Sequence, residues 1–326
     1  MPFAHALEQP RRSQTLAEPW HRLTGRWRNG GVEEYSLGQS HGMRQLRRLR
    51  LRAGIELTEH RMGLENLPEA FRGFRIVHLT DLHHGLYFPA EALAAVVELT
   101  NELDPDVVAL TGDFVTRSRN YIEPVAEMLS GLRARSGVFA VLGNHDFRVG
   151  AEEIGRALNR HGIDVLRNRH VTLRRKGQKC YLAGIDDLLY RADLPRAMRG
   201  IPAGAPTVLL SHNPGIIGEA AQMKINFVLS GHTHGGQIRL PVVSCLYGRS
   251  DRQLRYKNGR DSLGPTQIYV SRGIGTVVLP VRYRCSSEIP HFVLEPGRGH
   301  IHEDFRSLDA GRWHSAQPDA CAFARS

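Results

Sequence analysis

Five short groups of aspartate, asparagine and histidine residues each follow an apolar run of the chain. The groups are Asp81-Leu82-His83, Gly112-Asp113, Gly143-Asn144-His145-Asp146, Ser211-His212 and Gly231-His232-Thr233-His234. Ligands of parallel α/β sheets bind beyond the carboxyl ends of the strands, so polar residues in such positions are expected to converge. The chain must therefore adopt a fold that brings five distant segments together at one edge.

The spacing of apolar residues predicts parallel βαβ units in the first half of the chain. Apolar runs at 74–79, 107–110 and 138–142 alternate with helical spacing at 89–103 and 125–132. Further strands are predicted at 171–175, 180–185, 208–210, 227–229, 268–270, 276–279 and 291–294, and further helices at 152–159 and 216–223. This order of strands and helices predicts an α/β protein.

Composition is that of a globular protein with a basic surface. The 326 residues, 41% of them hydrophobic, can bury a core as one large domain or two small ones. The formal net charge of +10 favours anionic partners such as phosphorylated substrates, acidic membranes or nucleic acid, and solvation of the surface is an equal alternative. The four cysteines contain no Cys-x-x-Cys pair, which argues against a zinc knuckle or a redox motif and favours reduced thiols.

Three segments of the chain differ in composition. Residues 1–52 form a basic N-terminal extension, 53–296 carry the regular pattern, and 297–326 form a polar C-terminal tail. The extension is either flexible or a peripheral contact with an anionic membrane, with Trp20 and Trp27 in the interface. No stretch approaches the roughly 18 apolar residues of a membrane span, so we expect a cytoplasmic protein, with the inner face of the cytoplasmic membrane as an alternative location.

The side chains of the five groups can supply the donors of two metal ions. The donors are Asp81, His83, Asp113, Asn144, His212, His232 and His234. Asp81 and His83 are two residues apart, and on an extended segment they would point the same way and meet one ion. The carboxylate of Asp113 can bridge two cations, and imidazole nitrogens suit zinc, iron, manganese and similar ions. Two adjacent divalent ions indicate hydrolysis of a phosphate ester.

In their order, these groups resemble the motifs of the calcineurin-like metallophosphoesterase superfamily. The resemblance covers residues 75–294 and implies a four-layer α/β sandwich, in which two mixed β-sheets are flanked by helices. Residues 231–238, 271–275 and 280–282 resemble more narrowly the bacterial YkuE/YaeI-like branch. Part of that branch is linked with hydrolysis of UDP-2,3-diacylglucosamine in lipid A synthesis. Its members often carry an N-terminal membrane anchor, where this chain has a polar basic extension.

The same resemblance implies a role for each residue of the motifs. One ion is assigned to Asp81, His83, Asp113 and His234, and the other to Asp113, Asn144, His212 and His232. A water or hydroxide between the ions would attack phosphorus. His145 would donate a proton to the leaving group, and Asp146 would orient the His145 imidazole.

The expected function is therefore hydrolysis of a phosphoester or pyrophosphate bond. The substrate is expected to be a nucleotide-linked lipid precursor, with soluble phosphodiesters or phosphomonoesters as the alternative. Two hypotheses of another class are a scaffold without turnover and a module that binds membranes through its basic extension. Residues 247–260 carry five basic residues and form either a solvated loop or a lid that grips a diphosphate. No specific nucleic-acid binding is expected.

Overall fold

The computed structural model describes residues 54–239 and 256–297, all of which belong to one compact unit. The predicted extension at 1–52, the tail from 298 onward and residues 247–255 of the basic stretch lie outside the described residues. The division into three segments therefore stays a prediction.

The described residues form twelve strands and five α-helices. The strands are β1 (Ile55–Leu64), β2 (Phe74–Leu79), β3 (Val107–Leu110), β4 (Val138–Ala140), β5 (Asp164–Val165), β6 (Arg169–Arg175), β7 (Gln178–Gly184), β8 (Thr207–Leu210), β9 (Phe227–Ser230), β10 (Gly259–Leu263), β11 (Thr266–Val270) and β12 (Ser287–Pro296). The helices are α1 (Ala90–Glu102), α2 (Ile122–Leu129), α3 (Asn144–Arg160), α4 (Leu194–Met198) and α5 (Ile217–Gln222).

The strands form two mixed sheets of six strands each. The first has the order β1-β12-β2-β3-β4-β5, and the second has the order β10-β11-β9-β8-β7-β6. The first sheet is parallel except for the pair β12–β2, and the second is parallel except at its two edges, β10–β11 and β7–β6. Strands β2, β3 and β4 of the first sheet and β8 and β9 of the second lead into the five polar groups.

Three apolar clusters hold the layers together. The cluster between the two sheets contains Phe227 and Phe292, whose rings meet edge to face at 5.2 Å. A second cluster packs α1, α2 and α3 on the outer face of the first sheet, and a third packs α4 and α5 on the outer face of the second. The predicted four-layer sandwich of two mixed sheets flanked by helices is thus confirmed.

The structure corrects several predicted elements. Residues 276–279 are not a strand, and Val278 at their centre has φ 64°, which is incompatible with a β ladder. Strand β1 went unpredicted because its middle carries charged and polar residues, although it pairs in parallel with β12 along its whole length. Strand β10 was missed for a similar reason, since its sequence GRDSL is polar and lies at a sheet edge.

Helix α3 begins eight residues earlier than predicted, at Asn144. It is interrupted at Gly150, whose φ of 153° and ψ of 76° are not helical. The predicted helix at 152–159 therefore corresponds to its second half. The first half carries the motif residues Asn144, His145 and Asp146, so these side chains leave the start of a helix rather than a loop.

Phe292 is the natural test of the interface between the sheets, because its ring is fully buried and also packs edge to face on Tyr269 at 5.0 Å. We expect Phe292→Ala to lower the free energy of unfolding by about 3–5 kcal/mol, since it leaves a cavity between two rigid sheets. Leu263→Ala, at an exposed edge position, should change it by no more than about 0.5 kcal/mol. Urea unfolding measures both, and equal losses would contradict this account of the core.

Candidate metal centre

The five polar groups meet at one edge of the sandwich, between the carboxyl ends of strands from both sheets. Backbone hydrogen bonds continue beyond the ends of the strands: the Asp81 N–H donates to the Gly112 carbonyl at 3.0 Å, and the His83 N–H donates to the Asp113 carbonyl at 2.9 Å. His212 connects the two sheets, because its Nδ1 lies 2.7 Å from the carbonyl oxygen of Thr111. The motifs of the first sheet are therefore held against those of the second.

One set of donor atoms comes from Asp81, His83 and His234, all of which are buried. Oδ1 of Asp81 lies 3.3 Å from Nε2 of His234 and 4.0 Å from Nε2 of His83. The two imidazole Nε2 atoms are 3.0 Å apart. These three atoms surround a space of the size that a divalent ion requires.

The other set comes from Asp81, Asp113 and His212, so Asp81 belongs to both sets. Oδ2 of Asp113 lies 3.3 Å from Nε2 of His212 and 3.5 Å from Nε2 of His83 in the first set. Oδ1 of Asn144 lies 3.2 Å from Nε2 of His212 and 2.9 Å from Nδ1 of His232. One carboxylate oxygen thus lies between the two sets.

The chemistry of these atoms fits metal ions better than it fits a network of hydrogen bonds. Nε2 of His83 and Nε2 of His234 face each other, and a pair of imidazole nitrogens can share only one proton between them. Carboxylate and amide oxygens accept hydrogen bonds but supply no proton. A cluster of lone pairs on oxygen and imidazole nitrogen is the donor set that zinc, iron and manganese take in proteins.

Five of the seven candidate ligand residues adopt left-handed backbone conformations. Their φ angles are 52° at Asp81, 48° at His83, 55° at Asp113, 70° at His232 and 50° at His234. The expectation that Asp81 and His83 lie on an extended segment is therefore wrong. They converge because each turns the chain locally, a conformation that costs about 1–3 kcal/mol and clusters at functional sites.

Two glycines allow the backbones of neighbouring motifs to approach the carboxylates. A Cβ at Gly143 would lie 2.2 Å from Oδ1 of Asp113, and one at Gly231 would lie 2.2 Å from Oδ2 of Asp81. Each glycine therefore reserves space for a carboxylate. The motifs Gly-Asn-His-Asp and Gly-His-Thr-His begin with glycine for this steric reason.

Hydrogen-bond donors orient the two carboxylates mainly through one oxygen of each, and the His232 N–H also reaches Oδ1 of Asp81 at 3.2 Å. Oδ2 of Asp81 accepts hydrogen bonds from the Thr80 hydroxyl at 2.8 Å and from the His232 N–H at 3.0 Å. Oδ1 of Asp113 accepts from the His145 N–H at 2.9 Å. The opposite oxygens, Oδ1 of Asp81 and Oδ2 of Asp113, therefore face the imidazoles.

Two threonines orient imidazoles of the site, and neither was assigned a role from the sequence. Nδ1 of His212 contacts the carbonyl of Thr111, which leaves Nε2 free for a ligand. Thr116 contacts two rings: its Oγ1 lies 3.2 Å from Nδ1 of His83, and its carbonyl lies 3.1 Å from Nδ1 of His145. In the sequence, the position of both threonines close to Gly112-Asp113 could have indicated that they contact the site.

Arg282 is a third residue that was missed, although residues 280–282 were noted as part of a narrower resemblance. Its Nη2 lies 3.4 Å from Nδ1 of His234. Its Nε donates to the carbonyl of Gly275 at 3.0 Å, which fixes the guanidinium behind the ligand. Burial lowers the pKa of Arg282 below its ordinary value.

The electrostatics of the site demand positive charge at its centre. Burial alone would raise the pKa of Asp113, but His212 and the other nearby histidines outweigh it and hold that pKa well below its usual range. Burial alone would lower the pKa of His212, but the Asp113 carboxylate outweighs it and raises the pKa to about 10. The buried carboxylates therefore favour positive charge between them, which a divalent ion can supply.

The structure gives Asp146 contacts different from those expected. Its carboxylate accepts hydrogen bonds from the backbone N–H groups of Asp113, Phe114, Val115 and Gly143, at 2.7, 2.9, 3.4 and 2.9 Å. The expectation that it orients the imidazole of His145 is therefore wrong. Burial and the charge of Asp113 raise the pKa of Asp146, while the N–H donors favour its ionised form.

His145 lies at the accessible edge of the cluster. Its ring meets the His83 ring edge to face at 5.0 Å, and its side chain is only partly buried. No distance places it among the two sets of donor atoms. The expectation that His145 is a proton donor rather than a ligand stays a prediction.

Comparison with known proteins agrees with this geometry. The model of the calcineurin-like phosphoesterase family matches residues 74–236. The uncharacterized metallophosphoesterase YkuE of Bacillus subtilis is 34% identical over 250 residues, which cover 74% of this chain and 86% of YkuE. Phosphodiesterase YaeI of Escherichia coli is 31% identical over 240 residues, which cover 72% of this chain and 86% of YaeI. A transmembrane protein with a metallophosphoesterase domain from Danio rerio is 34% identical over 255 residues, which cover 74% of this chain but 57% of that protein.

The chain belongs to the calcineurin-like phosphoesterase family, and it is a metal-dependent hydrolase of phosphoester bonds. Five ligand residues predicted from the sequence lie in the two groups of donors that could hold a metal ion, namely Asp81, His83, Asp113, His212 and His234. Within residues 54–239 and 256–297, no helix is both long and apolar enough to cross a membrane.

Asp146→Asn tests the contacts of the buried carboxylate. The amide group turns one acceptor oxygen into a donor that faces backbone N–H groups, so we expect the free energy of unfolding to fall by at least about 2 kcal/mol. Bound metal should fall too, because the displaced backbone carries Asp113. Glu153→Gln, in the second half of α3 and outside the cluster, is the control. Full stability and metal content with lost turnover would instead restore the rejected role beside His145.

Proposed function

We propose that the chain hydrolyses a phosphodiester or pyrophosphate bond with the aid of two divalent ions. One ion would be held by Asp81, His83, Asp113 and His234, and the other by Asp113, Asn144, His212 and His232. The observation that carries the proposal is the position of Asp113, whose Oδ2 lies 3.5 Å from His83 and 3.3 Å from His212. A single carboxylate oxygen within reach of both sets is suited to bridge two cations.

The ions would supply Lewis acidity, which activates water and neutralises negative charge on a phosphoryl group. The chain's own residues arrange the rest. Asp113 is held by the His145 N–H, so the bridging carboxylate and the proposed proton donor move as one unit. The carbonyl of Thr116 accepts from Nδ1 of His145, which leaves Nε2 to carry the proton given to the leaving-group oxygen.

The substrate enters from the side on which His145 and His232 are partly exposed, because Asp81, Asp113 and His212 are closed off by protein. The E. coli relative is named a phosphodiesterase. On this basis we propose that a diester or pyrophosphate is cleaved, and a nucleotide-linked lipid precursor such as UDP-2,3-diacylglucosamine is one candidate. Soluble phosphodiesters and phosphomonoesters fit the same geometry.

A substrate panel with added manganese decides among these classes. The panel contains UDP-2,3-diacylglucosamine, bis-p-nitrophenyl phosphate and p-nitrophenyl phosphate. Preference for the first by about 100-fold in kcat/KM would support the lipid-linked pyrophosphate. Preference for bis-p-nitrophenyl phosphate would support a general phosphodiesterase. No turnover of any of the three, in protein with metal bound, would refute the proposed function.

Asp113→Asn tests the two-ion arrangement. The amide keeps one oxygen but loses the charge that a bridge requires, so we expect bound metal to fall from about two ions to one or fewer per chain. Turnover of bis-p-nitrophenyl phosphate should fall at least about 100-fold. Elemental analysis of reconstituted protein measures the first quantity. A variant that retains two ions and full activity would exclude the bridge.

His145→Ala tests the proton donor. We expect kcat to fall about 10²–10⁴-fold, while metal content stays at the wild-type level because His145 belongs to neither donor set. His170→Ala is the matched control, since that histidine is also partly buried and contacts a backbone carbonyl, but of Ala197 in helix α4. The loss should shrink with p-nitrophenol leaving groups, which need little protonation. An equal loss with poor and good leaving groups would argue against acid catalysis.

A further inference from the structure

Exposed apolar side chains are concentrated around the metal centre. Among the described residues, ten large hydrophobic side chains are exposed, and eight of them lie in three loops. We name these eight the apolar rim: Leu86, Tyr87, Leu189, Tyr190, Val278, Leu279, Val281 and Tyr283. The remaining two, Met223 and Leu263, lie elsewhere. Scattered exposed hydrophobics are ordinary, whereas concentration at one edge indicates a surface that meets a partner.

The first two loops are tied directly to the metal centre. Leu86 and Tyr87 follow His83 by three and four residues, in a tight turn closed by the Gly85 N–H on the Phe88 carbonyl at 3.3 Å. The Tyr190 ring stacks on Phe147 at 4.5 Å, and its hydroxyl donates to the Asn144 carbonyl at 3.5 Å. Leu86 and Leu189 nevertheless remain 77% and 63% exposed. Both loops thus border the cluster and present leucine to solvent.

The third loop is held open by Gln237, which follows the last metal motif. Its side-chain amide donates to the carbonyls of Val277 and Leu279 at 3.0 and 2.9 Å, and its Oε1 accepts from the Val277 N–H at 2.8 Å. Val278 between them is 74% exposed and has φ 64°, which β-branched residues rarely adopt. The loop therefore keeps this apolar tip outside the core even though the backbone of Val278 is strained.

The positive charge around the apolar rim indicates what kind of partner it meets. Exposed arginines accompany the rim, namely Arg117, Arg191 and Arg284 in loops and Arg148 in helix α3. The described loop segments 84–89, 114–121, 186–192, 231–239 and 273–286 contain two acidic residues, Asp186 and Asp187, and both are buried. Beside the second loop, the exposed carboxylates of Glu152 and Glu153 pair with Arg167 and Arg119, so the edge keeps an excess of arginine alongside its aliphatic and tyrosine side chains. Aliphatic and tyrosine side chains suit the membrane interface, and arginines attract anionic lipid head groups.

We propose that the apolar rim docks the metal centre on the surface of an anionic phospholipid bilayer. A second copy of the chain is disfavoured as the occupant, because two faces with the same excess of arginine would repel each other. Docking would bring the open side of the site, next to His145, to the head-group layer. If the proposed function also holds, the substrate class is a phosphoester of a lipid head group.

The test is co-sedimentation of the full chain with vesicles of equal parts phosphatidylcholine and phosphatidylglycerol. A triple variant, Leu86→Gln, Leu189→Gln and Val278→Gln, removes one apolar tip from each loop. The matched control is Met223→Gln with Leu263→Gln, which removes the exposed hydrophobics outside the rim. Because all five positions are exposed, unfolding temperature and metal content should match wild type in both variants.

We expect the triple variant to partition to these vesicles at least about 10-fold more weakly than wild type, and the control to bind like wild type. The difference should persist at about 1 M salt, where screening shortens to about 3 Å and suppresses the contribution of residues 1–52. Equal binding of wild type and triple variant at both salt concentrations would overturn the proposal. So would a wild-type chain that does not sediment, or one that forms a dimer which the triple variant cannot form.

Vesicle binding requires no turnover, so it separates this proposal from the proposed function. A wild-type chain that binds vesicles through the rim but hydrolyses no phosphoester supports the docking surface and refutes the hydrolytic proposal. A chain that hydrolyses bis-p-nitrophenyl phosphate in solution but does not bind vesicles supports the hydrolytic proposal and refutes the docking surface.

Discussion

Burial of negative charge at the junction of the two sheets is the constraint on which the rest of the structure depends. Asp81 and Asp113 are almost completely buried. Burying a carboxylate costs several kcal/mol unless positive charge and hydrogen bonds compensate it. Among the described residues no arginine or lysine forms an ion pair with either carboxylate, and the side chains paired with them by charge are histidines. The fold therefore brings these carboxylates together at a cost that bound cations can offset.

The packing of the two sheets against each other brings the buried carboxylates to one place. The apolar cluster between the sheets aligns strands β2, β3 and β4 with β8 and β9, so their carboxyl ends face one another. The His212 contact to Thr111 then joins the two sheets within the site itself. Metal binding and sheet packing are consequently coupled, and ions that bind only the folded state add to its stability by mass action.

Much of this could be predicted from the sequence, because the chemistry lies in short motifs after apolar runs. The two mixed sheets, and the candidate ligand residues that the structure brings together, followed from that pattern and from family resemblance. Local geometry did not, since an extended segment was assumed where Asp81 and His83 have left-handed backbones. These conformations depend on contacts with distant residues. Hydrogen bonds from the Asp81 and His83 N–H groups to Gly112 and Asp113 hold both residues, and the sequence around Asp81 does not indicate them.

The misassigned role of Asp146 has a similar origin. Adjacent residues at the start of a helix point in different directions, so the carboxylate next to His145 need not serve its imidazole. In the structure it turns inward and collects N–H groups from the loop that carries Asp113. Strands β1 and β10 were missed because strand pairing, rather than their own apolar pattern, stabilises them.

Each loop at the metal centre has an inner and an outer part with different physical requirements. The inner part is constrained by charge, close glycine contacts and left-handed backbones, so little variation is compatible with metal binding. The outer part, such as Leu86 beyond His83, contacts solvent and does not face the metal ligands. Substitutions there can change the surface that the enzyme meets while the donors stay in place. The motifs therefore set the chemistry of the site, whereas the residues between and beyond them shape the surface around it.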